Sequence, residues 1–409
     1  MKFGLKNIKH ILKYLGNPEL EYPTVHIAGT NGKGSTAAMI ASILTSSGYK
    51  TGLYTSPHIY DFSERIRIDG KPISRSNIVK YTKLLKSEID KTNSTFFEAT
   101  TAIAFEYFKD QKIDVAVIET GLGGRLDATN VIKPELSIIT TIGIDHSEQL
   151  GNTIESIAAE KGGIIKPAIP CLTAVTDKKA LQVIKSIAKK NKSKLIDVNK
   201  FIKVSITKNE FDEFRVHIIA KDLRLKDIDI NLTGSYQKSN IKLAVAAARH
   251  LAKKSEFIKI TNNKISEGLK SISKNTGMRG RFDVLSISPV IIGDVAHNPQ
   301  AFKFLSQSLL EIGLHDTITI FGIMKDKDID SIIPYLAKFS KLIIACKPKT
   351  ERALHSEVIV EKLQEMEIPC LDGKNVANSL KIAKSIAKPS DAILICGSHA
   401  VLGEAINIF

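Results

Sequence analysis

The sequence contains no tryptophan and only four cysteines among its 409 residues. Cys171, Cys346, Cys370 and Cys396 lie far apart, and no two of them form a CxxC pair. This spacing argues against a disulfide-stapled scaffold and against a zinc site, and it suits a reducing compartment. We therefore expect a cytoplasmic protein.

Long apolar runs are also absent. The N-terminal segment, residues 1–16, is amphipathic and carries lysines among its apolar residues, so it lacks the uninterrupted apolar core of a signal peptide. No segment approaches the roughly 20 apolar residues that cross a bilayer. We expect no association with membranes.

Acidic residues are fewer than basic ones, with 43 Asp and Glu against 58 Lys and Arg, which gives a net charge of +15. The lysines are scattered along predicted helix faces and form no patch interleaved with aromatic residues, so we expect no nucleic-acid partner. A positive field would equally serve anionic small-molecule substrates. A general preference for lysine explains most of the excess.

The chain is too long for one ordinary hydrophobic core, so two domains are expected. We predict α/β domains at residues 1–282 and 283–409, with a linker at 275–285 and an antiparallel β excursion at 199–232. The second domain is predicted from apolar β-rich runs that alternate with helical patterns. Its predicted strands are residues 290–293, 317–321, 341–345 and 391–396.

A glycine-rich turn follows a predicted strand at Thr24–Ala28 and precedes an apolar helical stretch at Thr36–Leu44. Its glycines allow backbone N–H groups to face inward, and the helix N-terminus adds partial positive charge. Lys33 supplies a mobile charge, and the hydroxyl of Ser35 can reach a phosphate or Mg²⁺. An ordinary strand-to-helix turn is the alternative. The predicted nucleotide loop comprises Gly29, Thr30, Asn31, Gly32, Lys33, Gly34 and Ser35.

Polar side chains follow three other predicted strands. Glu119 follows the apolar run at residues 114–118, His146 lies just beyond the run at 136–142, and Ser56 ends a third strand. The carboxyl ends of parallel strands meet at one edge of a sheet, where open α/β sheets bind ligands. An acid at this edge is well placed to hold Mg²⁺ near phosphates. A turn serine and a structural histidine are the alternatives, and the residues alone favour the turn serine.

The segment GTNGKGS at residues 29–35 resembles the ATP loop of the Mur ligase family. YLGNPE before it and TSPHIYDFSERIRIDG after it are similar to the family's dihydrofolate synthase/folylpolyglutamate synthase branch, and further matches run almost to the C-terminus. The resemblance implies an α/β protein with a larger P-loop-containing Mur-ligase-like ATPase domain and a smaller Rossmann-like C-terminal domain. It also implies ATP and Mg²⁺ as cofactors.

The activity that the resemblance implies is ATP-dependent amide formation between a pterin or folate carboxylate and L-glutamate, through an acyl phosphate. The implied small-molecule partners are 7,8-dihydropteroate, reduced folates, L-glutamate and ATP, and a monomer is expected. A Mur ligase acting on a UDP-sugar peptide is the competing enzyme, but only 23 residues precede the first predicted strand. A non-enzymatic nucleotide-binding regulator is a further alternative.

The resemblance also assigns catalytic and metal-binding roles. It makes Ser56, Glu119 and His146 ligands of Mg²⁺, although Mg²⁺ ordinarily prefers oxygen to a histidine nitrogen. It makes Lys33, Lys161 and His146 catalytic, with Lys161 carbamylated by CO₂. From the residues alone, Lys161 is a helix C-terminal lysine that complements the helix dipole.

Two segments are implied to line the dihydropteroate pocket. Phe97 would stack on the pterin, and Glu98 would bond its amino-pyrimidine edge. On pattern alone, the first segment is a helix N-terminus followed by two core phenylalanines. The implied substrate-binding residues are Thr95, Phe96, Phe97, Glu98, Leu126, Asp127 and Ala128.

The resemblance implies four further nucleotide contacts. Asn240 would contact ATP, Arg281 a phosphate, Asp294 the ribose and His297 the adenine. An amide on the first turn of a helix explains Asn240 equally well. A helix cap by Asn298 explains part of the cluster that contains Asp294 and His297.

Overall fold

The computed structural model describes residues 4–408, which form three β-sheets with helices packed around them. The strands are β1 Thr24–Ala28, β2 Thr51–Tyr54, β3 Ile66–Ile68, β4 Lys71–Pro72, β5 Val115–Glu119, β6 Leu136–Ile139, β7 Cys171–Thr173, β8 Leu195–Asp197, β9 Lys203–Asn209, β10 Phe214–Ala220, β11 Leu223–Asp229, β12 Asp283–Ile287, β13 Val290–Gly293, β14 Thr317–Phe321, β15 Ser340–Cys346, β16 Cys370–Lys374 and β17 Ala392–Cys396.

Helices connect many of these strands along the chain. They are α1 Lys6–Tyr14, α2 Lys33–Ser46, α3 Arg75–Thr92, α4 Phe96–Asp110, α5 Ser147–Leu150, α6 Ile154–Gly162, α7 Lys178–Lys190, α8 Gln237–Leu251, α9 Asn262–Lys270, α10 Ile272–Thr276, α11 Pro299–Glu311, α12 Ile333–Leu336, α13 Ser356–Glu365, α14 Val376–Ile386 and α15 His399–Ile406. Within residues 4–408, no helix is long and apolar enough to cross a bilayer.

The first sheet has eight strands in the order β4-β3-β2-β5-β1-β6-β7-β8. Strands β2, β5, β1, β6, β7 and β8 are parallel, whereas β3 and β4 form an antiparallel hairpin at one edge. Every residue of β1 and β5 is buried, as expected for central parallel strands covered on both faces. The strand order places the end of β1 between the ends of β5 and β6.

The strand predicted at 136–142 is shorter than expected and ends at Ile139. Beyond it the chain turns toward the glycine-rich loop, because the hydroxyl of Thr140 donates to the carbonyl of Asn31 at 2.7 Å. The helix predicted from Thr36 begins earlier, at Lys33, because Gly32 adopts a left-handed φ of 82° and serves as its N-cap. The first helical turn therefore belongs to the loop itself.

The second sheet is the antiparallel excursion predicted at 199–232, with strand order β11-β10-β9. Its inward side chains alternate along β10, where Phe214, Val216 and Ile218 are buried. They join the core cluster that also contains the apolar side chains of α2 and α8. This sheet thus covers the outer side of the helices that support the glycine-rich loop.

The third sheet has the order β12-β13-β17-β14-β15-β16, and only β12 is antiparallel. The four predicted strands are confirmed. Strand β12 was not predicted, because it is an edge strand with half-exposed residues and no apolar run. Strand β16 was not predicted either, because its sequence CLDGK contains Asp and Gly, which are depleted in strands.

The linker predicted at 275–285 is wrong at both ends, since α10 extends to Thr276 and β12 begins at Asp283. Only residues 277–282 are irregular between them. We propose the division into residues 1–282 and 283–409 that the sequence suggested, since the third sheet begins at Asp283.

Candidate active site

The glycine-rich loop joins the end of β1 to α2, in the geometry that binds phosphate at a helix N-terminus. Gly32 is required, because a Cβ atom there would lie 2.3 Å from Oδ1 of Asn240. That same oxygen accepts a hydrogen bond from the hydroxyl of Thr36 at 3.2 Å. Asn240 therefore lies against the loop, where its amide oxygen braces the first turn of α2, and its contact with ATP stays a prediction.

Two lysine ammonium groups converge on one carbonyl of this loop. Lys33 Nζ donates to the carbonyl of Gly29 at 3.1 Å, and Lys161 Nζ donates to the same oxygen at 2.9 Å. Lys161 is buried, and burial, together with the charge of Lys33, lowers its pKa to about 7. A substantial fraction of Lys161 is therefore a neutral amine at neutral pH.

Glu119 ends β5 and faces the same loop. Its Oε2 accepts the backbone N–H of Ser56 at 3.1 Å. Burial raises the pKa of Glu119, while Lys33, the Ser56 N–H and Arg281 act in the opposite direction. A Cβ atom on Gly34 would lie 3.5 Å from Oε2 of Glu119. The carboxylate thus meets the first turn of α2, where phosphates would bind.

His146 precedes α5 in a left-handed conformation and lies on the same edge. Burial lowers its pKa, and a neutral imidazole has a lone pair for a metal. In the part of the chain that the structure describes, no three His, Cys, Asp or Glu side chains form a metal-binding group. One carboxylate and a serine still suit Mg²⁺, which keeps several waters and takes other ligands from phosphates.

An ionic contact that the sequence did not predict links this edge to the third sheet. Asp145 pairs with Nζ of Lys327 at 2.8 Å and accepts from Nδ2 of Asn298 at 3.0 Å. Burial raises the pKa of Asp145, but Lys327, His146 and His297 outweigh it and hold the pKa well below its ordinary value. Sequence reasoning could not pair residues that lie 182 positions apart.

Replacement of Lys327 by methionine should destabilise the fold. The side chains of Lys327 and Asp145 are only 8% and 9% exposed, so the variant leaves a buried charge without its partner. We expect a loss of about 3 kcal/mol in the free energy of unfolding, measured by urea denaturation. Lys325→Met in the same loop is the matched control, since Lys325 is exposed. Equal stability of the two variants would contradict the assignment.

Asn31, in the loop, is held by two residues at the start of α11. Its Nδ2 donates to Oε1 of Gln300 at 2.9 Å, and its Oδ1 accepts from Nδ2 of Asn298 at 3.1 Å. Asn298 also caps α11 through the N–H of Ala301, so the predicted helix cap is confirmed. Asn298 therefore both begins a helix and braces the loop.

Three of the four predicted nucleotide contacts, Arg281, Asp294 and His297, line one cavity with the loop, whereas Asn240 does not line it. Asp294 is buried and accepts the N–H groups of Phe282 and Ala296 at 2.9 and 2.8 Å. His297 lies at the edge of this cavity, and burial lowers its pKa to about 4. The ribose, adenine and phosphate contacts of Asp294, His297 and Arg281 stay predictions, because these bonds orient the residues without defining their ligands.

His399 lines the same cavity and was not predicted. Its ring lies 5.7 Å from that of His297, and burial together with Arg281 holds its pKa well below the ordinary value. The sequence signal was Gly397 and Ser398, which directly follow the strand predicted at 391–396. The first residue of the following helix was the one that reached the cavity.

A second cavity of about 680 Å³ adjoins the first, and all seven implied substrate-binding residues line it. Phe96 is 61% exposed, with Cζ of Arg65 at 5.4 Å from its ring centroid. Phe97 instead packs against Gly121, where a Cβ atom would lie 2.5 Å from the ring. Phe96 is thus the more exposed of the two rings, but Phe97 also lines the cavity, so stacking of Phe97 on a pterin stays a prediction.

The two acids of this cavity already have partners within the chain. Oε2 of Glu98 accepts from the N–H and the hydroxyl of Thr95 at 2.8 and 2.9 Å, which forms a capping box at the start of α4. Asp127 accepts from the N–H of Leu122 at 2.8 Å and from Thr129. The pattern-based prediction of a helix N-terminus is confirmed, but the prediction of two core phenylalanines is wrong for Phe96, which is 61% exposed.

The sequence matches two protein-family models. Residues 27–248 match the Mur ligase middle domain, and residues 280–399 match the glutamate ligase domain of Mur ligases. The folylpolyglutamate synthase of Lacticaseibacillus casei is 34% identical over 401 residues, covering 96% of this chain and 91% of that protein. The dihydrofolate synthase/folylpolyglutamate synthase of Bacillus subtilis is 36% identical over 359 residues, covering 84% and 81%.

One relative is longer. A probable bifunctional folylpolyglutamate synthase/dihydropteroate synthase of Haloferax volcanii is 33% identical, and the chain spans only 48% of that protein. Among solved structures, E. coli FolC in complex with DHPP and ADP has a TM-score of 0.88 and 28% identity, with 100% of this chain and 93% of that chain covered. The α/β architecture with a Mur-ligase ATPase domain and a C-terminal domain is thereby confirmed, and this chain belongs to the dihydrofolate synthase/folylpolyglutamate synthase branch of the Mur ligase family.

Proposed function

We propose that the protein is an ATP-dependent ligase that joins L-glutamate to a pterin or folate carboxylate, forming dihydrofolate from dihydropteroate and extending folate polyglutamates. One observation carries this proposal: the nucleotide cavity and the 680 Å³ cavity share lining residues. A phosphate donor and a pterin acid bound in the two cavities would meet at the shared wall. That wall comprises Ser56, Pro57, Gly121, Leu122, His146, His297 and His399.

The chemistry follows from the weakness of a carboxylate as an electrophile. The carboxylate oxygen attacks the γ-phosphorus of ATP, the bond to the bridging oxygen breaks, and ADP leaves with an acyl phosphate formed. The ammonium of Lys33 and the N–H groups that begin α2 stabilise the negative charge on the transferring phosphoryl group. The amine of L-glutamate then attacks the acyl carbon, loses a proton and displaces inorganic phosphate.

Mg²⁺ belongs to this proposal, with Glu119, Ser56 and His146 as the residues that would hold it. When bound, the ion would offset phosphate charge. The carbamate on Lys161 also belongs to the proposal, supported by a buried amine whose pKa is about 7. We further propose a cytoplasmic monomer.

Two alternatives have less support. A ligase for UDP-sugar peptides has less support because the relatives that are 34% and 36% identical are named as folate ligases. A nucleotide-binding regulator does not explain a second cavity that adjoins the nucleotide cavity and is lined by the aromatic rings of Phe96 and Phe97. Glutamate-dependent ADP release with dihydropteroate, compared with ATP hydrolysis alone, separates the ligase from the regulator.

Both glutamate additions should occur with one purified protein. We expect dihydrofolate from dihydropteroate, glutamate and ATP, and a longer product from a reduced folate, each measured by mass spectrometry with ADP release in parallel. The reason is that, in this proposal, the cavity beside the loop holds the pterin and the reacting carboxylate reaches the wall that the two cavities share. Extension of the folate alone would contradict the pterin-pocket assignment.

Glu98→Gln should impair the reaction with dihydropteroate more than the extension of a reduced folate. An amide keeps an oxygen for the capping box with Thr95 but loses the negative charge that a pterin amino group would meet. We expect a loss of about tenfold in kcat/KM for dihydropteroate, since hydrogen bonds to charged groups contribute about 1.5–3 kcal/mol. Glu106→Gln in the same helix is the control. Equal losses for both substrates would contradict a pterin contact.

A further inference from the structure

The 680 Å³ cavity that would hold the pterin is called the pterin cavity below. A group of basic residues lies beside it, at the edge of the third sheet where the parallel strands end. We call Lys347, Lys349 and Lys374 the lysine rim; with Pro348, Thr350 and Glu351 they line a concavity of about 410 Å³. Thr350 also lines the pterin cavity, so the two spaces adjoin. These lysines have no role in the reaction proposed above.

The fold itself brings the rim together. Strands β15 and β16 are parallel neighbours, and Cys346 pairs with Lys374 in their register. The N–H of Lys347 donates to the carbonyl of Lys374 at 3.0 Å, just beyond that pairing. Both lysines thus stand at the carboxyl ends of adjacent strands. Ligands of open α/β sheets bind outside this edge.

The strand order places residues of the pterin cavity and of the lysine rim side by side along that edge, and we call this row of strand ends the track. The end of β17 supplies Ser398 and the loop after β14 supplies Met324 and Lys327, all of which line the pterin cavity. The ends of β15 and β16 come next and carry the lysine rim. Neighbouring strands lie about 4.8 Å apart, so the track from β17 to β16 is about 14 Å long.

The charges of the rim are largely uncompensated. Among residues 4–408, no carboxylate lies within 4 Å of the ammonium groups of Lys347, Lys349 or Lys374. The ammonium of Lys347 contacts only Nε2 of His355, at 3.1 Å. Glu351 shares the concavity, and Glu404 accepts the backbone N–H of Lys349. The concavity therefore keeps an excess of positive charge.

The substrate explains a need for such a track. The carboxylate that reacts must reach the phosphate loop, whatever the length of the molecule behind it. Each glutamate already added places one more free α-carboxylate between the pterin and the reacting end. Dihydropteroate has no such group, because its single carboxylate is the one that reacts.

We propose that the lysine rim binds the α-carboxylates of the glutamate tail on folate substrates. This inference rests on the proposed function and adds the subsite that distinguishes long substrates from dihydropteroate. Arg352, whose guanidinium lies 3.5 Å from a carboxylate oxygen of Asp326, lines the pterin cavity two residues after Thr350, which lines both spaces.

The test compares two triple variants of equal charge. Lys347→Gln/Lys349→Gln/Lys374→Gln removes the rim, and Lys338→Gln/Lys381→Gln/Lys388→Gln removes three exposed lysines elsewhere in the same domain. We expect the rim variant to raise KM for a reduced folate triglutamate roughly tenfold, since each exposed charge pair is weak and three act together. KM for dihydropteroate should stay within about twofold, and the effect should fade as salt is raised.

Two outcomes would overturn the rim assignment. One is an equal rise in KM for the folate triglutamate and for dihydropteroate, and the other is an equal effect of both triple variants on these KM values. Equilibrium binding of pteroyltriglutamate and pteroate is measured beside turnover. If the wild-type protein shows no glutamate-dependent ADP release, the proposed function fails. The rim assignment fails if removal of the rim leaves pteroyltriglutamate binding unchanged.

Discussion

Lys33→Ala should abolish turnover with dihydropteroate and with reduced folates alike. Lys33 is the loop lysine at the start of α2, and its ammonium lies against the carbonyl of Gly29 in the phosphate-binding turn. Loss of a charged phosphate contact costs a few kcal/mol of transition-state stabilisation, or roughly a hundredfold or more in rate. The measurement is kcat at saturating ATP for both substrates, together with the affinity for ATP.

The variant should remain folded. The Gly29 carbonyl keeps its hydrogen bond from Lys161, so removal of Lys33 leaves that carbonyl with a partner. The thermal midpoint should therefore stay close to that of the wild type. Lys86→Ala, which removes an exposed lysine paired with Asp90 on α3, is the control and should keep full activity. Near-normal turnover of Lys33→Ala would contradict the assignment of the loop.

Lys161→Ala should be nearly inactive while remaining folded. A buried ammonium beside Lys33 repels cations, whereas a carbamate reverses the sign and supplies two oxygens. Carbamylation requires a neutral amine, and the pKa of about 7 makes this form available at neutral pH. A short carboxylate such as acetate should partly restore activity by occupying the vacated space. Full activity of Lys161→Arg would show that Lys161 is only a helix-end cation.

The pH dependence gives a second measurement on Lys161. Burial lowers its pKa from the ordinary value near 10.5 to about 7, so the neutral fraction rises as the pH passes through 7. Labelling with ¹³C-bicarbonate should give a carbamate signal in nuclear magnetic resonance spectra that is weak at pH 6 and strong at pH 8. Lys166→Ala is the matched control, since burial also lowers the pKa of Lys166, to about 8. A signal lost in the control and kept in Lys161→Ala would contradict the carbamate site.

The lowered pKa of Lys161 also makes the free energy of unfolding depend on pH. Between pH 7 and the ordinary pKa of lysine, the unfolded chain binds a proton at Lys161 that the folded chain has released. Stability therefore rises with pH across this range, as far as this residue is concerned. Lys161→Met should remove that slope. Urea denaturation at pH 7 and pH 9 measures the change.

Local patterns in the sequence determined most of the elements and the loop. Strand β1 is correct to the residue because its apolar run is bounded by Pro23 and Gly29. The loop was predictable because glycines, a lysine and a hydroxyl lie within seven consecutive residues. Strand β16 was not predicted, because its partners and not its composition make it a strand. Its hydrogen bonds come from β15, which lies on another part of the chain.

The sequence by itself determined the glycine-rich loop between β1 and α2, the helix caps at Thr95 and Asn298, and the family to which the chain belongs. These features depend on residues close together in the chain, where backbone geometry limits the possible contacts. Only the tertiary structure decided that Asp145 pairs with Lys327, that Phe96 is exposed while Phe97 packs against Gly121, and that Lys347 and Lys374 adjoin. Each of these depends on which strands are neighbours and which side chains are packed first, and that is a property of the whole fold.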